Sequence, residues 1–215
     1  MAIISPVHWK ALTSPLQKAF TFVEQQEFAD RFYLAGGAGL AMQLGHRRSL
    51  TLDFYSLSDK ILSDTRQEII GDFATLSPQV IDNADGRLLL NVNSAPIGFF
   101  FYDRSLLKPT GEIDYMNVAS IIDIGLMRLE ALITTGSRND FYDVFAVSQK
   151  IPLYDLLDMA KEKYPEVPEF TRKAVEGLAK FEKADRDRQP YLFINYPWGS
   201  VRQFFADTNK VLSER

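Results

Sequence analysis

The densest set of residues able to do chemistry lies in positions 32–55, FYLAGGAGLAMQLGHRRSLTLDFY. Gly36-Gly37 separates a short aromatic and apolar stretch from a small, helix-prone one. Backbone N–H groups at a glycine turn that opens a helix can cradle a phosphate, because unpaired donors and the helix dipole both favour an anion. His46, Arg47 and Arg48 follow as a basic corner with donors enough to hold a polyphosphate. Asp53 lies on the next predicted strand, where a carboxylate could take Mg²⁺, a hard cation that prefers carboxylate and phosphate oxygens. Together these pieces suggest nucleotide chemistry. Each also has a plainer role. Gly36-Gly37 would serve as a tight strand-to-helix turn, His46 and Arg47 as cations at the C-terminal end of a short helix, and Asp53 as a solvated or salt-bridged carboxylate.

These residues need elements to hold them. Residues 32–35 read as a buried strand that stops at the glycines, and 38–44 as a helix closed by Gly45. Residues 49–56 alternate, with Leu50, Leu52 and Phe54 on one face and Ser49, Thr51, Asp53 and Tyr55 on the other. Within residues 8–30, which carry apolar side chains at helical spacing, a helix is predicted to start at Ser14-Pro15 and run to about Gln26, and another is predicted over 59–73. Strands are predicted at 79–82, 87–92 and 97–102, the first two joined by a hairpin turn at Ala84-Asp85-Gly86; the aromatic run 99–102 reads as core strand. The back half is nearly all helix, at 118–134, 140–148, 153–163, 170–183 and 201–212. Lys108-Pro109-Thr110-Gly111 is the best boundary, giving an α+β part over 1–108 and a mainly helical part over 109–215.

Composition narrows the class. The chain has 215 residues, 46% hydrophobic and 24% charged, with 16 Phe and 9 Tyr. These are globular values, which exclude disorder, collagen and coiled coil. Cysteine is absent, so disulfide scaffolds, thiolate zinc sites and cysteine nucleophiles are excluded. The net charge of −4 supplies no global basic field for nucleic acid, so a polyanion would need a local patch. The N-terminal residues do not form a signal peptide, and the longest apolar runs fall far below the roughly 20 residues of a spanning helix. A cytoplasmic protein with no membrane partner is expected.

Two blocks in this chain resemble the AbiEii/AbiGii toxin family of nucleotidyltransferase-like proteins. The first is Leu34-Ala35-Gly36-Gly37-Ala38-Gly39-Leu40, followed by His46-Arg47-Arg48-Ser49-Leu50-Thr51-Leu52-Asp53-Phe54. The second is Asp123-Ile124-Gly125-Leu126-Met127-Arg128, followed by Asp140-Phe141-Tyr142-Asp143. The resemblance implies a polymerase-β-like nucleotidyltransferase core, a mixed sheet with flanking helices, and a helical C-terminal part. It also implies transfer of a nucleoside monophosphate from an NTP to an RNA, notably tRNA, or to a protein hydroxyl. Such proteins act as toxins of toxin–antitoxin pairs and in phage defence, so a cognate antitoxin is an implied partner. By the same resemblance Gly36, Gly37, Arg47 and Ser49 would bind the nucleotide and Asp53 and Thr51 the Mg²⁺. Asp53, Arg128 and Asp140 would carry catalysis around one cleft.

This chain departs from the family pattern at two positions. Thr51 stands where the family has the first Asp of its metal pair, and Arg128 where it has Lys. The i, i+2 spacing still aims Thr51 and Asp53 at one side of the strand, but a hydroxyl brings no charge to balance a cation. The alternative is therefore a degenerate homologue that binds a nucleotide or a partner without turnover. Plainer roles exist in the second block too: Asp123 as a first-turn acid, Asn139 or Asp140 as an N-cap with Asp143 in the first turn, and 161–163 and 183–188 as solvated helix ends.

Overall fold

In the computed structural model, residues 2–213 are described and the chain divides into two units, Met1–Ser120 and Ile121–Arg215. The first unit runs β1 (Ala2–Ile3), α1 (Ser14–Glu24), β2 (Tyr33–Leu34), α2 (Gly36–Leu44), β3 (Leu52–Ser56) and α3 (Ser63–Asp72). It continues with β4 (Gln79–Ala84), β5 (Arg87–Val92), β6 (Ala95–Phe101), β7 (Gly111–Ile113) and β8 (Met116–Val118). Among the described residues these strands form one eight-stranded mixed sheet in the order β1-β7-β8-β2-β3-β6-β5-β4.

The meander β4–β5–β6 follows from its turns. Ala84 pairs with Arg87 across Asp85-Gly86, where Gly86 takes φ +84. Asn93 and Ser94 both take positive φ and close the second hairpin, a turn whose twist matches that of the strands. β3 runs parallel to β6 and antiparallel to β2, so it lies well inside the sheet. Its Leu52 and Phe54 face a core that Phe28, Phe32, Phe73 and Phe99 share, with the Phe99 ring 5.4 Å from Phe54 and 5.3 Å from Phe32. In α1, Leu16, Ala19, Phe20 and Val23 recur at helical spacing and are buried, and Pro15 occupies the first turn.

The second unit is helical: α4 (Ile121–Thr134), α5 (Arg138–Ser148), α6 (Leu153–Lys163), α7 (Phe170–Gly177), α8 (Glu182–Arg186) and α9 (Trp198–Ser213). Phe141 anchors it, with the Phe181, Trp198 and Phe205 rings 5.1, 5.6 and 5.2 Å away. An α+β part followed by a helical part is the expected class.

Several boundaries differ from expectation. The units part after Ser120 rather than after Lys108, because β7 and β8 pair with β1 and β2 and belong to the sheet. For the same reason α4 starts at Ile121, not at residue 118. Residues 59–62, expected in a helix, form a loop before α3. Its Asp59 carboxylate accepts from Ile61 N–H at 2.8 Å and Thr65 Oγ1 at 3.0 Å. β3 begins at Leu52, so Leu50 is not a core residue but is 67% exposed. The helix predicted over 170–183 ends at Gly177, and α9 begins three residues early, at Trp198.

Candidate functional site

α2 begins earlier than its composition suggests. Gly36 is its first residue and holds φ +61, a left-handed conformation open to glycine at little cost. The glycines are thus the first turn of the helix rather than a turn before it. Ala35 provides no side-chain cap, and the first bond of the helix runs from Gly39 N–H to Ala35 C=O at 2.9 Å. The N–H groups of Gly36, Gly37 and Ala38 precede that bond, and all three residues are buried. A buried helix start without a side-chain cap is where an anion gains most from the dipole and the amide donors. Ala35 N–H donates to Asp53 C=O at 3.1 Å, which ties this start to β3 at the candidate carboxylate.

Arg47 comes back to the same place. Its side chain is buried, and a Cβ on Gly37 would lie 2.5 Å from its Nη2. Glycine at 37 is therefore what allows the guanidinium to lie against the helix start. Nη1 donates to the Arg48 carbonyl at 3.0 Å. The plainer alternative for Arg47, a cation at the C-terminal end of α2, is not where its guanidinium lies. That end is closed by Gly45, at φ +63 with its N–H on Ala41 C=O at 2.8 Å, and the His8 ring packs against it. His46 is buried.

On β3, Thr51 Oγ1 donates to Asp53 Oδ2 at 3.2 Å, so the two side chains do share a face. Ser49 is buried; its hydroxyl donates to Thr51 C=O at 3.1 Å and its N–H to Ala11 C=O at 2.8 Å, which sets the entry into β3. Gly98 is the register partner of Asp53 on β6. Beyond it, Tyr55 stacks on Phe100 at 5.3 Å and on Tyr33 at 6.1 Å. Phe99 alone of the 99–102 run is fully buried in the core; Phe100 rides on the Asp53 face.

The second unit gathers the other predicted residues. Arg128 Nη1 lies 3.2 Å from Asp140 Oδ1, and its Nε 3.7 Å from Asp143 Oδ2. Asp140 is not the N-cap of α5. Ser137 is, and Asp140 is the third helical residue of a capping box, its Oδ2 accepting from Ser137 N–H at 2.9 Å and Oγ at 2.6 Å. The Ser-x-x-Asp spacing was a legible signal for this. Asp123 does more than favour a dipole: it forms a fully buried ion pair with Lys163 Nζ at 3.0 Å. Lys163 is accordingly not solvated, although Lys161 is. In residues 183–188 the chain serves Arg138, whose guanidinium donates to the Ala184 and Asp185 carbonyls at 2.7 and 2.9 Å.

This architecture matches solved structures over most of its length. A protein of H. pylori assigned as a nucleotidyltransferase superposes with a TM-score of 0.55 at 11% identity, over 94% of this chain and 96% of that one. ANT(2″)-Ia, solved in complex with adenylyl-2″-tobramycin, superposes with a TM-score of 0.54 at 10% identity, over 72% of this chain and 99% of that one. The fold is that of a nucleotidyltransferase. In sequence, the chain is 28% identical over 186 residues to the uncharacterized protein aq_aa25 of Aquifex aeolicus (strain VF5), covering 81% of this chain and 84% of the relative. No protein-family model matches it.

Within this nucleotidyltransferase fold the donors for a metal are sparse. Among the described residues no three His, Asp or Glu side chains group as a metal site. Mg²⁺ commonly takes one or two carboxylates together with substrate phosphates and water. Asp53 with the Thr51 oxygen beside it fits a Mg²⁺ that arrives with a nucleotide, and does not make a cage that would hold the ion alone. No helix among the described residues is long and apolar enough to cross a membrane.

The capping box allows a modest test of what Asp140 does for the fold. Ser137→Ala should cost about 1 kcal/mol of stability, read by urea denaturation with tryptophan fluorescence. A loss near zero would mean that the cap carries no weight and that Asp140 is held by Arg128 alone.

Proposed function

We propose that the chain binds a nucleoside triphosphate at the start of α2 and transfers its nucleoside monophosphate to an acceptor hydroxyl. One observation carries this reading: the buried start of α2, with no side-chain cap, brings three backbone N–H groups and the buried Arg47 guanidinium to the strand that bears Asp53. The N–H groups of Gly36, Gly37 and Ala38 would donate to phosphate oxygens, and Arg47 would add a permanent positive charge. Asp53, with Thr51, would hold the Mg²⁺, which when bound neutralises charge on the phosphoryl oxygens. The acceptor hydroxyl oxygen forms a bond to the α-phosphorus as the bond from that phosphorus to the bridging oxygen breaks; its proton passes to water, and pyrophosphate leaves with the electron pair. Catalysis of this kind rests mainly on alignment and charge stabilisation.

The acceptor is the finer part of the proposal. The family resemblance favours an RNA, tRNA first, with a protein hydroxyl second, and brings with it a toxin role beside a cognate antitoxin. The roles it gives Arg128 and Asp140 belong to the same proposal. A second reading, a degenerate homologue that binds nucleotide or a partner without turnover, is favoured by the neutral Thr51 beside a lone Asp53.

Labelled NTPs with Mg²⁺ and total tRNA separate the two. Transfer of label supports the first reading. Thr51→Asp restores a carboxylate on an exposed position and should raise transfer above the native level. If the native protein is strongly active and Thr51→Asp leaves it unchanged or slower, Thr51 is a working part of the site. Binding calorimetry that shows no heat for any of the four NTPs, with and without Mg²⁺, would remove the nucleotide claim.

A further inference from the structure

We infer that each bound nucleotide in this protein is accompanied by one divalent cation, not two, and that Arg47 supplies the charge for which a second ion would otherwise be needed. The inference rests on the nucleotide-binding reading and concerns how the same site balances charge.

Three observations carry it. A pair of cations close together on a phosphoryl group repel one another and are normally clamped by carboxylates between and beside them. The strand face here has one carboxylate, Asp53, and a neutral hydroxyl at the neighbouring position. The hydroxyl is also committed: its proton goes to Asp53 Oδ2 at 3.2 Å, so Thr51 steadies that carboxylate and adds no negative charge. Second, among the described residues no further His, Asp or Glu joins Asp53 to make a group of three. Third, a fixed cation already stands at the phosphate end. Arg47 is 4% exposed and its guanidinium is pressed against Gly37, at the amide donors that open α2. A guanidinium stays protonated across the working pH range and offers a planar set of donors suited to phosphate oxygens.

Charge therefore adds up differently from a two-metal site. One Mg²⁺ on Asp53, Arg47 and the helix start together face a triphosphate, and β3 offers a second dication no further carboxylate. Thr51 is the position that limits the count.

Mn²⁺ in place of Mg²⁺ makes the count measurable. The native protein is titrated with Mn²⁺ in the presence of the α,β-methylene analogue of whichever nucleotide binds, and bound Mn²⁺ per chain is counted by electron paramagnetic resonance. One bound ion is expected for the native protein and two for Thr51→Asp, with the broadened signal of a coupled pair. Two ions in the native protein, none with nucleotide bound, or a count of one in Thr51→Asp would each overturn the inference while leaving nucleotide binding intact. Failure of all four nucleotides to bind, with and without Mn²⁺, would instead bring down the reading on which it rests.

Discussion

Lys163→Met should lower the stability of the helical unit by about 3–5 kcal/mol. Lys163 Nζ and Asp123 Oδ1 are 3.0 Å apart, and neither side chain is exposed to solvent. Removing the ammonium leaves a carboxylate in a place where water cannot solvate it, and that uncompensated charge dominates the cost. Met is close to Lys in length, so packing is largely kept. The double variant Asp123→Leu with Lys163→Met removes both charges and should recover most of the loss, since apolar replacement of a buried pair is commonly neutral or stabilising. Urea denaturation followed by Trp198 fluorescence in a Trp9→Phe background reports this unit alone. A single variant within 1 kcal/mol of the native protein, on the order of the net worth of an ordinary hydrogen bond, would show that the pair is far better solvated than its burial implies.

The second large effect is on nucleotide affinity. Arg47→Ala should weaken NTP binding by roughly 10- to 100-fold, the equivalent of one hydrogen bond to a charged group. Gly37→Ala should do nearly as much without touching the arginine. Its new Cβ would lie 2.5 Å from Arg47 Nη2, and the guanidinium, the far end of a flexible chain, must leave. Gly37 does not carry the positive φ of its neighbour, so alanine suits its backbone and the fold should survive. Gly36→Ala differs: at φ +61 a side chain adds strain of roughly 1–2 kcal/mol. Calorimetry for binding and thermal melting for the fold separate the three variants. Native affinity in Gly37→Ala beside a large loss in Arg47→Ala would mean that the guanidinium acts from somewhere other than the start of α2.

Periodic signals are legible in the sequence where they are long. α1, the meander and the alternation of β3 from Leu52 onward follow from side chains recurring at 3.6 or 2 residues, because a buried face must repeat at the period of its element. Glycine and positive-φ positions marked the Asp85-Gly86 turn and the Gly45 cap for the same local reason. Thr51 and Asp53 shared a face in the sequence and share it in the structure, since i, i+2 geometry is a property of any strand.

What failed was non-local. β7 and β8 are three residues each, too short to show a period, and exist because β1 and β2 offer them hydrogen-bonding edges. Leu50 carries the right alternation yet lies outside the paired part of β3. Lys161 and Lys163 look alike at a helix end, and only the passage of α4 beside α6 buries one of them on Asp123.

The sequence by itself determined the kind of protein: an α+β part with glycines, a basic corner and a strand carboxylate, followed by helices. Tertiary structure alone decided what those groups can do together. It made the glycines the first turn of α2, folded Arg47 back from the far end of that helix to Gly37, and tied Ala35 to Asp53 across two strands. Local rules could not specify this. A chain sets the types and spacing of its side chains through short-range geometry, whereas convergence on one point depends on which strands pair and which backbone is close enough for a guanidinium to reach.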